Sequence, residues 1–292
     1  MNQPPTPKLM KSENPNTKLI SEINHRLALA IQTRGGLGKS MEAICKGNWL
    51  DQHGVPWKGY DLDVFNRTLS STFPEAVTLI ETSREPEADI IKILRKVTQV
   101  PVTVIDPQAH MNRIILSAMA KVDFPKFAAQ AKARATVLIF PIDEISDMED
   151  ISETVDTLGD TVDWVIVRNP ERIPTTKFFD GSLLEQQLAS YHATSLEIPS
   201  LMTDTRNHLR GIQVKLGRTI SPAEAIANGD LGLDMVHRMV LEKWQAEMFR
   251  RFHAIKSYLV PDFYAEKIQA PDDIRKPRER TVAAGINLEN IL

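Results

Sequence analysis

A glycine-rich segment that ends in lysine and serine is the part of this sequence best suited to bind phosphate. It reads Arg34-Gly35-Gly36-Leu37-Gly38-Lys39-Ser40. Glycines let backbone N–H groups converge on an anion, because they carry no Cβ and tolerate left-handed backbone angles. In such a loop a lysine reaches the outer phosphates of a nucleotide, and a serine hydroxyl binds Mg²⁺. We therefore expect a phosphate-binding loop in which Lys39 and Ser40 have these two roles.

The residues around this segment have the pattern that a phosphate-binding loop requires. The apolar run 27–31 precedes it and predicts a strand, and helical spacing begins at Met41. A helix that begins at the loop adds partial positive charge to it. Two other interpretations use the same residues: a glycine turn that only begins a helix, and a dinucleotide-binding fingerprint. The fingerprint fits less well, because Met41 stands where its third glycine belongs.

Polar residues end three of the later apolar stretches. Asp61 and Asp63 follow the first of these stretches, Asp106 follows the second and Asn169 follows the third. In open parallel sheets ligands bind outside the carboxyl ends of the strands, so we expect these side chains to lie near the loop. Each also has an ordinary structural explanation. Asp and Asn are common in turns and helix caps, and Asn-Pro is a strong turn dipeptide.

The loop departs from the general phosphate-binding pattern at Thr33, where a glycine is usual five residues before Gly38. What remains is a basic residue followed by Gly-Gly-x-Gly-Lys-Ser, which resembles the deviant Walker A loop of the ParA/MinD family of ATPases. The resemblance extends over about residues 26–220. In that family the basic residue is a lysine that reaches the partner's phosphates across a nucleotide-sandwich dimer. Here it is Arg34, which keeps the charge but changes its reach and geometry.

The resemblance implies that the loop binds ATP together with Mg²⁺. The nucleotide would contact residues 35–40 and Met41. Ser40 and Asp106 would hold the metal ion, with Asp61 beside it.

The resemblance also implies catalytic and base-binding residues. Lys39 and Arg34 would stabilise the charge on the phosphates, and Asp63 would position the attacking water. Asn169 would pair with the edge of the adenine, since a side-chain amide both donates and accepts hydrogen bonds. Residues 64–67, which follow Asp63, depart from the family's usual sequence.

The function implied by the resemblance is a slow ATPase that acts as a nucleotide-dependent dimer switch. Its setting would be the partition, positioning or conjugative mobilisation of a plasmid or another large cargo. The expected partners are a second copy of the chain when ATP is bound, and a cargo or adaptor protein that stimulates hydrolysis. Two other functions stay open: a metabolic ATP-dependent ligase or kinase similar to dethiobiotin synthetase, and a nucleotide-gated binding module that does not hydrolyse ATP.

Non-specific DNA is a further partner that the resemblance implies. Arg250, Arg251 and Lys256 lie in a stretch that mixes basic and aromatic residues, and their contacts with phosphates would give salt-sensitive binding. The alternative is an ordinary amphipathic helix that packs Trp244 and Phe252 on the core.

Strand and helix patterns alternate over most of the chain, which predicts an α/β fold with a mostly parallel twisted sheet and helices on both faces. The predicted strands are 26–32, 55–60, 77–80, 100–105, 136–141, 163–168 and 194–198. The predicted helices are 39–52, 86–97, 109–120, 124–132, 146–158 and 182–190, then a helix that begins at Ser221 and a long one over 233–259. The expected organisation is a flexible tail over 1–17, an ATPase domain over 18–260 with C-terminal helices over 221–260, and a tail over 261–292.

The composition is that of an ordinary globular protein with no strong charge. The 292 residues include 35 Lys and Arg against 38 Asp and Glu, so no global field attracts nucleic acid or a membrane. A single cysteine, Cys45, excludes an internal disulfide and a multi-thiolate metal site, and we expect it to be buried. The seven histidines lack paired metal spacing, which argues against zinc.

The remaining expectations concern an acidic stretch and location. Residues 143–163 are predicted to be a solvated helix face with Ile145 and Met148 turned inward. Because no apolar run has the length of a membrane span or signal peptide, we expect a cytoplasmic protein without stable membrane insertion. Association with the nucleoid would follow from DNA binding.

Overall fold

A seven-stranded parallel sheet organises the residues that the computed structural model describes, which are 22–32, 34–81 and 83–269. The strands are β1 (His25–Ala30), β2 (Trp57–Asp61), β3 (Val77–Leu79), β4 (Val102–Asp106), β5 (Ala133–Ile139), β6 (Asp163–Arg168) and β7 (Thr194–Glu197). Their order across the sheet is β3-β2-β4-β1-β5-β6-β7. Every pair of neighbours in this described sheet is parallel. All seven predicted strands are present, with ends shifted by a few residues.

Twelve α-helices occur in the same described residues. They are α1 (Lys39–Gln52), α2 (Thr68–Thr72), α3 (Pro86–Leu94), α4 (Asn112–Lys121), α5 (Phe124–Ala131), α6 (Ile145–Leu158), α7 (Leu183–Ser190), α8 (Thr203–Leu216), α9 (Pro222–Ala227), α10 (Met235–Ala254), α11 (Lys256–Leu259) and α12 (Asp262–Lys267). No described helix has both the length and the apolar character needed to cross a membrane.

Helices cover both faces of the sheet, and each face has its own buried apolar cluster. Alternate strand residues belong to different clusters, as the two-residue period of a strand requires: Trp164 and Ile166 to one, Val165 and Val167 to the other. The cluster that contains Trp164 and Ile166 packs helices α3, α4, α5, α6 and α7 against one face of the sheet. The cluster that contains Val165 and Val167 packs α1, α8, α9 and α10 against the opposite face. The predicted α/β fold with a C-terminal helical part is therefore confirmed.

The strand order places β1 near the middle of the sheet, where the direction of the strand connections changes. A ligand-binding crevice is expected at the carboxyl end of β1. The chain leaves β1 toward β2 and β3, returns through β4, and then crosses to β5 on the other side of β1. In parallel sheets ligands bind at such a change of direction, outside the carboxyl ends of the strands. The glycine loop follows β1 at this position.

The C-terminal helices differ from the prediction in two ways. Helix α8 was not predicted at all. The long predicted helix 233–259 begins as α10 but breaks at Ile255, and α11 follows. The segment after the break is held to the sheet, because Arg26 on β1 donates to the carbonyls of Ser257 and Val260, and Thr136 on β5 donates to that of Tyr258.

Within the acidic stretch 143–163, residues 145–158 form α6, and two expectations about its faces are wrong. Ile145 is 68% exposed, because it stands at the very start of the helix. Asp147 is buried rather than solvated, and it hydrogen-bonds to Gln32. Met148 is half-buried against the core, as predicted.

The predicted tails fall largely outside the described residues. Residues 1–17 and 270–292 lie there entirely. Within the predicted C-terminal tail, residues 262–267 form α12 and Ile268 is buried against the core. The Ile23 amide donates to the Asp262 carboxylate at 2.9 Å, which ties α12 to the start of β1.

Candidate functional site

The glycine loop, residues 34–38, has backbone angles that need glycine at two positions. Gly36 has φ +76° and Gly38 has φ +105°, both in the left-handed region. Gly38 is also the N-cap of α1, and a Cβ placed on it would lie 2.5 Å from Nδ2 of Asn169. The loop therefore turns sharply from β1 into α1 and exposes the helix N-terminus, which is a favourable place for an anion.

Lys39, the first residue of α1, folds back over this loop. Its side chain is buried, and Nζ donates to the backbone carbonyl of Arg34. Burial lowers the pKa of Lys39, while the charges of Asp106, Asp147 and Asp63 partly offset the effect. The ammonium group thus lies near three carboxylates and is bonded to the Arg34 carbonyl, which a phosphate could replace as its charged partner.

Asp106 and Ser40 form the pair of oxygen donors best placed to hold a metal ion. Asp106 ends β4 and is buried, and the Ser40 hydroxyl hydrogen-bonds to its carboxylate. Burial raises the pKa of Asp106 to about 7, although the Ser40 hydrogen bond acts against the rise. Its Oδ2 has no hydrogen-bond partner among the described residues. A buried carboxylate oxygen without a partner beside a hydroxyl suits Mg²⁺, which prefers hard oxygen ligands.

Asp61 lies directly opposite Asp106 in the register of β2 and β4, but its carboxylate is already occupied. Oδ1 accepts from the Asp63 amide at 3.0 Å, and Oδ2 accepts from the amide and the hydroxyl of Ser70 at 2.9 and 3.0 Å. The side chain therefore fixes the segment between β2 and α2. The metal-binding role that the resemblance implies would have to compete with these bonds.

Asp63 is similarly held in a turn. Its Oδ1 accepts from the amides of Phe65 and Asn66 at 3.2 and 3.0 Å, and its Oδ2 accepts from the side chain of Asn66 at 2.7 Å. The carboxylate is half-buried and close enough to Lys39 to affect its pKa. Its role as the residue that positions water stays a prediction.

Asn169, directly after β6, supports the glycine loop. Its Nδ2 donates to the carbonyl of Leu37 at 2.9 Å, and the side chain is buried. The amide that the resemblance assigns to adenine is thus bonded to the loop in this structure. Met41, the other predicted nucleotide contact next to the loop, is partly exposed in the first turn of α1.

A cavity of about 450 Å³ lies where the chain continues beyond β6 and β7. It is lined by Glu171, Ser200, Leu201, Met202, Thr203 and Arg206. The Glu171 carboxylate binds the Leu201 amide and the Arg206 guanidinium. Ile198, which precedes this lining in the chain and is not part of it, comes within 3.6 Å of the Cβ position of Gly38.

Arg34, the basic residue of the loop, is paired within its own chain. Its guanidinium forms a salt bridge with Glu144, the residue before α6, and both side chains are about half exposed. An exposed pair of this kind is weak and easily exchanged for another partner.

Gln32 and Asp147 belong to the site but were not found by sequence reasoning. Gln32 follows β1, and its amide donates to Asp147 Oδ1 at 2.8 Å and to the Phe140 carbonyl at 2.7 Å, while its Oε1 accepts from the Phe140 amide at 3.0 Å. Burial raises the pKa of Asp147. These bonds join the ends of β1 and β5 to α6 behind Lys39.

The predicted DNA-contacting residues are engaged inside the chain. Arg250 pairs with Glu247, Arg251 pairs with Glu197 at 2.9 Å, and Lys256 donates to the Ile268 carbonyl at 2.7 Å. Trp244 and Phe252 on the same helix are buried. The amphipathic packing weighed as the alternative is thus confirmed, whereas DNA contact stays a prediction.

Comparisons with known proteins give structural similarities but no sequence match, since no family model and no curated protein matches the chain. The cell division protein MinD of Aquifex aeolicus is 12% identical, with a TM-score of 0.38 over 75% of this chain and 95% of that one. A nucleotide-binding protein of Archaeoglobus fulgidus in complex with ADP is 15% identical, with a TM-score of 0.38 over 65% and 86%. A plasmid partition protein of Borrelia burgdorferi is 13% identical, with a TM-score of 0.35 over 59% and 90%. At these values the likeness says nothing about function, and the candidate site is defined by the geometry of its own residues.

Proposed function

We propose that this chain is a P-loop ATPase that binds Mg-ATP at the glycine loop and hydrolyses it slowly. The observation that carries the proposal is the convergence of Lys39, Ser40 and Asp106 at the end of β1 and β4. A buried ammonium group, a helix N-terminus and a buried acid with a free oxygen together suit a phosphate chain and its metal ion.

The residues have separate tasks in this proposal. The amides at the start of α1 and the Lys39 ammonium would bind the β- and γ-phosphates, in exchange for the Arg34 carbonyl. Ser40 and Asp106 would hold Mg²⁺, and the bound ion would neutralise part of the negative charge on the phosphates. Asp63 would orient the attacking water through Oδ2, which accepts one hydrogen bond from the exposed Asn66 side chain and has a second lone pair. The expectation of slow turnover rests on the resemblance.

A nucleotide-dependent dimer fits the state of Arg34. The residue lies in the loop, and its half-exposed guanidinium pairs with Glu144. A partner copy could bring its Arg34 to the phosphates of this site at the modest free-energy cost of breaking an exposed ion pair. By resemblance, such a switch would serve partition, positioning or mobilisation of a plasmid or another cargo, with an adaptor protein as stimulator.

A second candidate is a nucleotide-gated binding module that does not hydrolyse ATP. The specific observation in its favour is Asp63, whose two carboxylate oxygens both accept hydrogen bonds from its own turn. If these bonds hold the Asp63 carboxylate in its turn when ATP binds, it is not aligned to orient water.

The test measures phosphate release and molar mass with Mg-ATP, with and without DNA, for the wild type and for Lys39→Ala, Asp63→Ala and Arg34→Ala. The proposal expects slow release that Asp63→Ala abolishes, and an ATP-dependent increase in mass that Arg34→Ala weakens. Binding without release, and no effect of Asp63→Ala, would favour the module. A wild type that neither binds ATP nor changes mass would overturn both.

A further inference from the structure

Two histidines and an aspartate converge on the C-terminal helices, outside the site described above. His208 lies on α8, Asp234 is the N-cap of α10, and His237 lies in the first turn of α10. One ligand-capable atom from each residue lies within 4.8 Å of the other two. The two imidazole rings stack, with centroids 4.7 Å apart. Two histidines that are not paired by spacing in the sequence are therefore brought together in the folded chain.

The aspartate is held in place by the helix that it caps. Its Oδ1 accepts from the amides of Val236 and His237 at 2.8 and 3.0 Å. Its Oδ2 faces the cluster and lies 3.5 Å from Nε2 of His237. One oxygen of Asp234 is thus fixed by the α10 backbone, while the other remains available as a ligand.

Each histidine has one ring nitrogen engaged by a group outside the cluster. His208 Nε2 lies 3.1 Å from the Gly232 carbonyl, which can only accept, so the proton belongs on Nε2 and Nδ1 keeps its lone pair. His237 Nδ1 lies 3.0 Å from the hydroxyl of the buried Thr205, which leaves Nε2 facing Asp234. Metal-binding histidines are oriented in this way, with the second nitrogen bonded to a carbonyl or another polar group.

We propose that His208, Asp234 and His237 bind a divalent transition-metal ion of the zinc type. Asp204 can supply a fourth ligand, since its Oδ2 lies 3.8 Å from His237 Nε2 on an exposed side chain. Two imidazoles and carboxylate oxygens favour Zn²⁺ or Co²⁺ over Mg²⁺, which prefers oxygen ligands alone. The ion would join α8 to α10. A simple ion pair would explain Asp234 and His237 but does not require a second imidazole beside them.

The experiment titrates Co²⁺ into the untagged, EDTA-treated full chain without nucleotide, and follows the visible absorption of four-coordinate cobalt. The wild type is expected to bind one equivalent. His208→Ala and His237→Ala should each weaken binding by more than tenfold, and Thr205→Val should weaken it by about tenfold through loss of ring orientation. His192→Asn is the matched control, because His192 is exposed and its left-handed backbone suits asparagine.

Two further measurements keep the outcome decisive if a histidine variant unfolds. Asp204→Asn changes a side chain that is 81% exposed, so it leaves the packing intact while altering the cobalt spectrum and weakening binding. Zn²⁺ should raise the melting temperature of the wild type and of His192→Asn by the same amount. The proposal is overturned if the wild type takes up no Co²⁺, or if the folded histidine variants and Asp204→Asn all bind it as tightly as the wild type does.

Discussion

The side-chain amide of Asn169 donates to the backbone carbonyl of Leu37 at 2.9 Å, so the end of β6 supports the glycine loop. The same amide fills the space next to Gly38, where it leaves no room for a Cβ. Asn169 therefore contributes to the shape of the phosphate site whether or not it also contacts a base.

Replacement of Asn169 by alanine is expected to weaken the binding of every ligand that carries a polyphosphate. Loss of one buried hydrogen bond to the loop corresponds to about 0.5–1.5 kcal/mol, or roughly a two- to tenfold rise in Kd. Calorimetric titration with ATP, GTP and inorganic tripolyphosphate should show the same factor for all three. A loss confined to ATP would instead mean that the amide reads the adenine.

Replacement of Gly38 by alanine is expected to abolish nucleotide binding. Its φ of +105° is strained for any residue with a Cβ, and that Cβ would collide with the Asn169 amide. Gly54→Ala is the matched control, because Gly54 has φ +61° but no atom within 4 Å of its Cβ position in the described part of the chain. The control should lose about 1–2 kcal/mol of stability and keep its affinity. Equal affinities in the two variants would contradict the role of the loop.

Asp106 predicts a specific pH dependence for the nucleotide-free protein. Burial raises its pKa from 3.8 to about 7, so the folded chain keeps a proton that the unfolded chain releases near pH 4. The free energy of unfolding should therefore fall as pH rises from about 4 to 7. The side chain in Asp106→Asn is neutral at every pH, so the variant should lack this decrease in the free energy of unfolding. At pH 8 it should be more stable than the wild-type apo protein by about 2–4 kcal/mol.

Urea unfolding of the wild type and of Asp106→Asn between pH 5 and pH 8 measures this difference, since titrating groups remote from Asp106 affect both proteins equally. The same variant should lose Mg²⁺-dependent ATP binding. Parallel pH curves for the two proteins would show that the Asp106 carboxyl is not held neutral in the folded chain.

The salt bridge between Arg34 and Glu144 gives a test of the dimer. Glu144→Gln releases Arg34, and the ATP-dependent dimer should become up to about fivefold tighter, the range expected for an exposed pair. Glu153→Gln is the control, because it breaks the similarly exposed Arg113–Glu153 pair on α4 and α6. Molar mass as a function of protein concentration would measure both. If the dimer dissociation constant of Glu144→Gln equals that of the control, Arg34 does not act across an interface.

The sheet could be predicted from the sequence because its strands are short apolar runs that end in a polar residue. Strand β4, which ends at Asp106, is an example. Helix α8 could not be predicted, since only Thr205, Leu209 and Ile212 are buried on it and Gly211 interrupts its pattern. The break between α10 and α11 was also missed. Helix α11 is held by Arg26 on β1 and Thr136 on β5, and the sequence gives no sign of these contacts.

The phosphate-binding part of the site was predictable because its spacing is local. The partners of its residues were not. Gln32 and Asp147 are joined only by the packing of α6 against the sheet, and helical periodicity alone placed Asp147 in solvent. His208 and His237 meet only because α8 packs beside α10. Such contacts depend on tertiary structure and leave no pattern in the sequence.

Mg²⁺-dependent ATP binding to wild type, Lys39→Ala and Lys58→Ala tests the nucleotide site most directly. Lys58 is an exposed lysine on β2 that donates to the Glu75 carbonyl, so its removal controls for the loss of one positive charge. We expect one equivalent of ATP on the wild type and on Lys58→Ala, and an affinity at least about tenfold lower on folded Lys39→Ala. Absence of ATP binding to the wild type, or equal affinity in folded Lys39→Ala, would contradict the proposed site.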